Sequence, residues 1–240
     1  MRAKCDSRGA TRRAGRRAGA TSRSDATSSV RSASDFVPRS RSCYGDRIVN
    51  GDQPERVGAI LERIAGVLRS HQVLDFAFTG GVAVGVWAAP RQTKDVDLCG
   101  SLPVEEVERL LALHDGIRSG SGELPDIVRF RVEDWDVDLF VSKGPYDREC
   151  LRRAIATEID GVPVRVVTAE DLLIHKMIKL RHDRKRLLQD LADVRAVVDA
   201  RGDRLDWEYI RRWARAEESA WLEEVGRSTD EQLVRRLPGA

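Results

Sequence analysis

The chain has 240 residues, 41% hydrophobic and 33% charged, which leaves room for one domain with a sizeable core and a small appendage. No apolar run approaches the roughly 18 residues of a membrane span, so the sequence predicts a cytoplasmic protein with no membrane association. The net charge of +2 is uneven: residues 1–50 hold twelve Lys/Arg against four Asp, leaving 29 basic and 35 acidic residues in the other 190, a balance that excludes a broadly basic nucleic-acid-binding body.

Residues 1–48 are Arg, Ser, Ala and Gly with almost no regularly spaced apolar positions. Such a segment buries too little surface to offset its ordering entropy, so it is expected to be disordered. A nucleic-acid-binding arm, a targeting peptide and a non-functional extension all fit its composition. The Arg/Ala bias continues through the whole chain, which favours the extension. Cys5, Cys43, Cys99 and Cys150 make no close pair, and His71, His114, His175 and His182 make no metal-ligand spacing. That pattern excludes a zinc site and fits a reducing compartment.

Ordered structure is expected over residues 52–168 as a core and 169–240 as a helical C-terminal subdomain. In "PERVGAILERIAGVLRSH", Val57, Ile60, Leu61, Ile64 and Leu68 fall at helical spacing. "VLDFAFT" (73–79) reads as a strand, and "GGVAVGVWAA" as a turn into an apolar helix ended by Pro90. "KDVDLCG" (94–100) reads as a buried strand, and "PVEEVERLLALH" as an amphipathic helix with Pro103 at its start. "DIVRFRVE" (126–133) and "WDVDLFVS" (135–142) make a tight antiparallel hairpin. A helix near 147–157 and a strand at 162–168 follow; helices are then predicted at 169–182, 184–200, 206–224 and 229–236. The fold class is α+β: a small mixed sheet with flanking helices and a helical C-terminal part.

The carboxylates carry the chemistry. Strand side chains alternate, so Asp95 and Asp97 share one face and Asp136 and Asp138 share another. If the two strands are neighbours, these groups converge, and only a cation relieves the repulsion. Oxygen ligands at this density suit Mg²⁺ or Mn²⁺. A solvated polar face is the competing reading for such a pair. The glycines of "TGG" (79–81), at a strand–helix corner, let the backbone approach an anion such as phosphate.

"TGGVAVGVWAAPRQTKDVDLCG" followed about 40 residues later by "WDVDLF" resembles the nucleotidyltransferase superfamily of DNA polymerase β-like fold. Within it, the likeness is to the minimal prokaryotic branch that includes the AbiEii-like toxins of toxin–antitoxin systems. The resemblance spans about residues 55–200. It implies that Gly80 and Gly81 hold a nucleoside triphosphate such as ATP, with Arg91 and Thr93 matching the family's R-x-T-x-D-x-D form. Asp95, Asp97 and Asp138 would hold two Mg²⁺ ions, Mn²⁺ being an alternative, while Asp136 either substitutes or is solvated. In "IHKMIKLRHDRKRLLQDLADV", Lys176 would contact the triphosphate and Asp190 would orient it or act in catalysis; Lys179 and Asp193 are weaker candidates. Intrahelical pairing or solvation is the alternative for these charges.

The implied reaction is transfer of a nucleotide to a hydroxyl acceptor with release of pyrophosphate. The acceptor would be RNA, tRNA in particular, if the protein is a toxin with a cognate antitoxin, or a small molecule as in antibiotic-modifying adenylyltransferases. A non-catalytic nucleotide- or partner-binding relative is the third reading. The cluster Lys176, Lys179, Arg181, Arg184, Lys185 and Arg186 would face an RNA acceptor or form a charged surface.

Overall fold

Helix α1 (Val57–Ser70) buries Val57, Ile60, Leu61, Ile64 and Leu68, the stripe its spacing predicts. The computed structural model describes residues 57–238, and the predicted extension lies outside them. After α1 come β1 (Phe76–Phe78), α2 (Gly80–Trp87), β2 (Asp95–Gly100) and α3 (Val104–Leu113). Next are β3 (Ile117–Ser119), β4 (Ile127–Val132), β5 (Trp135–Val141), α4 (Pro145–Arg153), β6 (Ile155–Ile159) and β7 (Val162–Val166). The chain then turns helical, through α5 (Ala169–His182), α6 (Leu187–Arg201), α7 (Trp207–Trp213), α8 (Ala216–Glu224) and α9 (Asp230–Arg235).

The strands form one mixed sheet in the order β3-β4-β5-β2-β1-β7-β6. Strands β2 and β5 pair in parallel, as do β1 and β7, while the remaining neighbours are antiparallel. The α+β reading therefore holds, and the predicted hairpin is β4–β5, with Val132 opposite Trp135 across the turn. One face of that hairpin (Val128, Phe130, Val132, Trp135, Val137, Leu139) is buried, and each such aliphatic or aromatic side chain contributes about 1.5–3 kcal/mol.

Helix α2 is apolar all round and almost fully buried, as an interior helix must be. It packs against β2, α5 and α6, and its Trp87 Nε1 donates to Val167 O at 2.7 Å. A single buried hydrophobic cluster runs from Val57 to Leu237, so the core and the C-terminal helices share one interior.

Beyond shifts of a few residues at element ends, the structure departs from the sequence expectation in three places. Helix 147–157 ends at Arg153, because Ile155, Thr157 and Ile159 alternate with exposed residues as strand β6, paired to β7. The 206–224 helix is two helices: Ala214 and Arg215 are extended, and Glu218 Oε2 accepts the Arg215 N–H at 3.0 Å to begin α8. Edge strand β3 adds three residues that had no predicted element.

Candidate active site

The parallel ladder of β2 and β5 sets Asp95 beside Asp136 and Asp97 beside Asp138. Paired residues project to the same face, so all four carboxylates stand on one side of the sheet. They are not equivalent. Asp97 is only 6% exposed, Asp95 and Asp138 are half-buried, and Asp136 is exposed and held by Arg131 at 3.0 Å. Asp136 is thus a solvated ion pair at the rim.

The glycine corner closes on the same spot. Thr79 N–H donates to Asp97 O at 2.8 Å, which ties the start of α2 to β2. Gly80 has φ +56°, and a Cβ there would overlap the Asp97 carboxylate; a Cβ on Gly81 would stand 2.7 Å from Thr93 Oγ1. Both positions require glycine, Gly80 for conformation as well as space. Below the corner, Thr79 Oγ1 and His175 Nδ1 share a 2.9 Å hydrogen bond. Burial pushes the His175 imidazole below its ordinary pKa, against the nearby Asp171 and Asp147.

Three cations meet the carboxylates. Arg186 donates to Asp95 Oδ2 at 2.8 Å, while Thr93 Oγ1 donates to Asp95 Oδ1 at 3.1 Å and to Asp95 O at 2.8 Å. Arg129, cross-strand from Asp138, reaches its Oδ1 at 3.3 Å. Lys179 Nζ stands 4.0 Å from Asp97 Oδ1, and Asp97 accepts no hydrogen bond from any described side chain.

The titration behaviour follows. Burial pushes the Asp97 carboxyl up, with Asp95 and Asp138 adding to the shift and Lys179 and Lys176 opposing it. Asp138 is also raised, by burial above all, against Arg129 and Lys179. Burial acts upward on Asp95 too, yet Arg186, Thr93 and Lys179 together hold it below its ordinary value.

A second charged cluster supports the first. Lys176 is buried between Asp190 Oδ1 and Asp193 Oδ2, each at 2.6 Å, and Asp193 also takes Arg91 in a two-pronged pair at 2.7 Å. Burial acts upward on Asp193, but Arg91 and Lys176 hold its carboxyl down. The resemblance implied that Lys176 contacts the triphosphate; the structure instead buries it, because two carboxylates of α6 face it. Lys176 therefore pairs with Asp190, and Lys176 and Arg91 meet on Asp193, while Lys179 is the α5 lysine beside Asp97.

Sequence reasoning passed over Arg129 and gave Arg186 no individual role. The signal for Arg129 was present: a two-residue turn at Glu133–Asp134 puts Arg129 and Arg131 opposite Asp138 and Asp136. Arg186 precedes α6 after a four-residue connection and carries no such signal.

The carboxylates are hard oxygen donors, and the Asp97 carboxylate accepts no hydrogen bond from any described residue and has Lys179 only at 4.0 Å, so their chemistry fits a divalent ion of the Mg²⁺ type. Among the described residues no three His, Cys, Asp or Glu side chains stand as a ready ligand set, since Asp95 and Asp138 direct oxygens at arginines.

No curated protein matches the chain. Among solved structures, it is similar to an antigenic nucleotidyltransferase-like protein from Paracoccidioides brasiliensis, at 16% identity and a TM-score of 0.45, over 77% of this chain and 93% of the other. It is also similar to the antibiotic-resistance factor ANT(2'')-Ia in solution, at 15% identity and a TM-score of 0.45, over 74% and 95% of the two chains. The same factor complexed with adenylyl-2''-tobramycin gives 16% identity and a TM-score of 0.43, over 70% and 97%. A family model described as "uncharacterised nucleotidyltransferase" matches residues 59–229, a span that holds the glycine corner, both acidic strands and the α5–α6 pair. The chain belongs to that family, and it is an enzyme of the nucleotidyltransferase class.

Proposed function

We propose that the protein transfers a nucleoside monophosphate from an NTP to a hydroxyl acceptor, releasing pyrophosphate, with Mg²⁺ or Mn²⁺ at Asp95, Asp97 and Asp138. The observation that carries this reading is the β2–β5 register, which sets Asp97 beside Asp138 against the Gly80–Gly81 corner. Divalent ions bound there would neutralise the triphosphate and stabilise the entering and leaving oxygens.

The chain's own groups do the rest. The Gly80 and Gly81 N–H groups, at the start of α2, are free of intrahelical partners and suit the triphosphate. Asp138 is half-buried with a raised pKa, which suits it to take the proton of the attacking hydroxyl. The acceptor oxygen bonds to the α-phosphorus as the bond to pyrophosphate breaks. The Lys176–Asp190–Asp193–Arg91 network fixes the segment that leads into β2, and with it Thr93 and Asp95.

For the acceptor, one observation favours a small molecule over RNA. In the basic cluster, Lys176 is buried in its acidic pair, Arg181 is held by Glu218 at 2.9 Å and Arg186 by Asp95. With three of its six cations in internal pairs, the cluster leaves a weakened field for a phosphate backbone. The test is incubation of the purified protein with labelled NTPs and Mg²⁺, in parallel with total RNA and with an aminoglycoside panel. Label in a small acceptor supports this reading, label in RNA makes the toxin reading the better one, and label in neither counts against both. Growth arrest on expression, relieved by Asp97→Asn, would point to the RNA branch and a cognate antitoxin.

A further inference from the structure

The same three cations that meet the carboxylates pose a problem for loading. Asp95 has both oxygens engaged, one by Thr93 and one by Arg186, and a divalent ion arriving alone must displace Arg186 to use it. Arg186 is built to leave. It precedes α6, its side chain is 42% exposed, it makes no side-chain capping bond, and among the described residues its side chain pairs with Asp95 alone. Lys179 stands 4.0 Å from Asp97 without a hydrogen bond to it. Thr93, by contrast, is held by its bond to the Asp95 carbonyl and is the fixed member of the set.

One buried and two half-buried carboxylates matched by three monovalent cations are together close to neutral. Adding bare divalent ions to them creates excess positive charge in a partly buried place, whereas adding ions together with a polyanionic triphosphate does not. A guanidinium released from a carboxylate finds in phosphate an equally suitable, two-pronged acceptor.

We propose that Arg186 is an exchangeable counter-ion: it pairs with Asp95 until metal and nucleotide enter and then moves to the triphosphate, so that ions load with the nucleotide and not before it. The inference rests on the nucleotidyltransferase reading of this site and adds an order of binding and a role for Arg186.

The test uses Mn²⁺ binding, followed by calorimetry or by the electron-spin resonance of the free ion, with and without a non-hydrolysable NTP analogue. Wild type, Arg186→Ala and Arg184→Ala are compared, each checked for unchanged thermal melting. Arg184 is the control, since it removes the same charge two residues away and has a carbonyl, Pro238 O, rather than a carboxylate as its partner. In Arg186→Ala, Mn²⁺ alone should bind about three- to tenfold more tightly than in wild type, and Mn²⁺ with the analogue about three- to tenfold more weakly. Arg184→Ala should change neither by as much.

Equal Mn²⁺ affinity in wild type and Arg186→Ala overturns the counter-ion role while leaving the nucleotidyltransferase reading intact, provided Mn²⁺ binds with the analogue. Equal shifts in Arg184→Ala and Arg186→Ala overturn it as well, because a general field then explains them. No Mn²⁺ bound to wild type under either condition overturns this inference and the site reading together.

Discussion

Asp97 is where stability and chemistry oppose each other. Its carboxylate is buried, accepts no hydrogen bond from any described residue and faces Asp95 and Asp138, so its ionised form is disfavoured in the folded chain. Removing that charge should stabilise the metal-free protein while removing its activity, the usual sign of a functional residue placed against local preference. Asp97→Asn is expected to melt at a higher temperature than wild type and to lose about a hundredfold or more in transfer rate. A variant that is less stable and fully active would contradict the assignment. The pH dependence follows from the same burial. Asp97 and Asp138 must be ionised to bind a cation, and both titrate above the ordinary aspartate value of about 3.9. Activity should therefore fall, as the medium is acidified, at a higher pH than ordinary aspartates would give, and a pH–rate profile of wild type against Asp138→Asn checks it. Gly80 is fixed by conformation and by Asp97 together: Gly80→Ala should cost about 1–3 kcal/mol in denaturant melts and disable the site.

Among the elements, α5 and α6 gain their register from charge as much as from apolar packing. Lys176, 5% exposed, bridges Asp190 and Asp193, and Asp193 holds Arg91 of the segment leading to β2. Deleting the lysine leaves two buried carboxylates with one cation between them. Lys176→Ala should therefore cost about 3–5 kcal/mol in denaturant melts, far more than Lys179→Ala, whose side chain is 31% exposed. The same scale shows what the sequence could tell. Alternating apolar residues marked β4 and β5, and their two-residue turn fixed the hairpin register that brings Arg129 to Asp138. Strand β6 had a comparable sign that was passed over: Asp160–Gly161, both at positive φ, is a two-residue hairpin turn between Ile159 and Val162. Helical propensity in "ECLRRA" masked it. The β2–β5 pairing carried no local signal, because parallel strands far apart in sequence are joined only by the tertiary fold. Lys176 and Lys179 looked alike for a related reason: which lysine is buried depends on α6, and α5 alone does not say.

Across the molecule, the acidic strands, the glycine corner and the C-terminal helices share one core, so the site is sensitive to events beneath it. His175 is the clearest case. Burial holds its pKa below the ordinary imidazole value of about 6.5, so the unfolded chain takes up a proton first on acidification. The stability it contributes is complete above about pH 6.5 and is lost as the pH falls below that value. Asp97 and Asp138, with raised pKa values, act in the opposite sense, since acidification relieves their buried charge. Thermal melts of wild type and His175→Gln between pH 7.5 and 5.5 should show a smaller fall in the variant. In the tautomer whose Nδ1 accepts from Thr79, protonation of His175 would also break that bond, next to the corner that faces Asp97. Among the described residues no helix is long and apolar enough to cross a membrane.

The most direct test is a crystal grown with Mn²⁺ and a non-hydrolysable NTP analogue, with the metal located by its anomalous scattering. The ion is expected about 2.0–2.3 Å from oxygens of Asp97 and at least one of Asp95 and Asp138, with the triphosphate against the Gly80–Gly81 backbone. A nucleotide bound elsewhere on the chain, with these three carboxylates still facing Arg186, Lys179 and Arg129, would contradict the account.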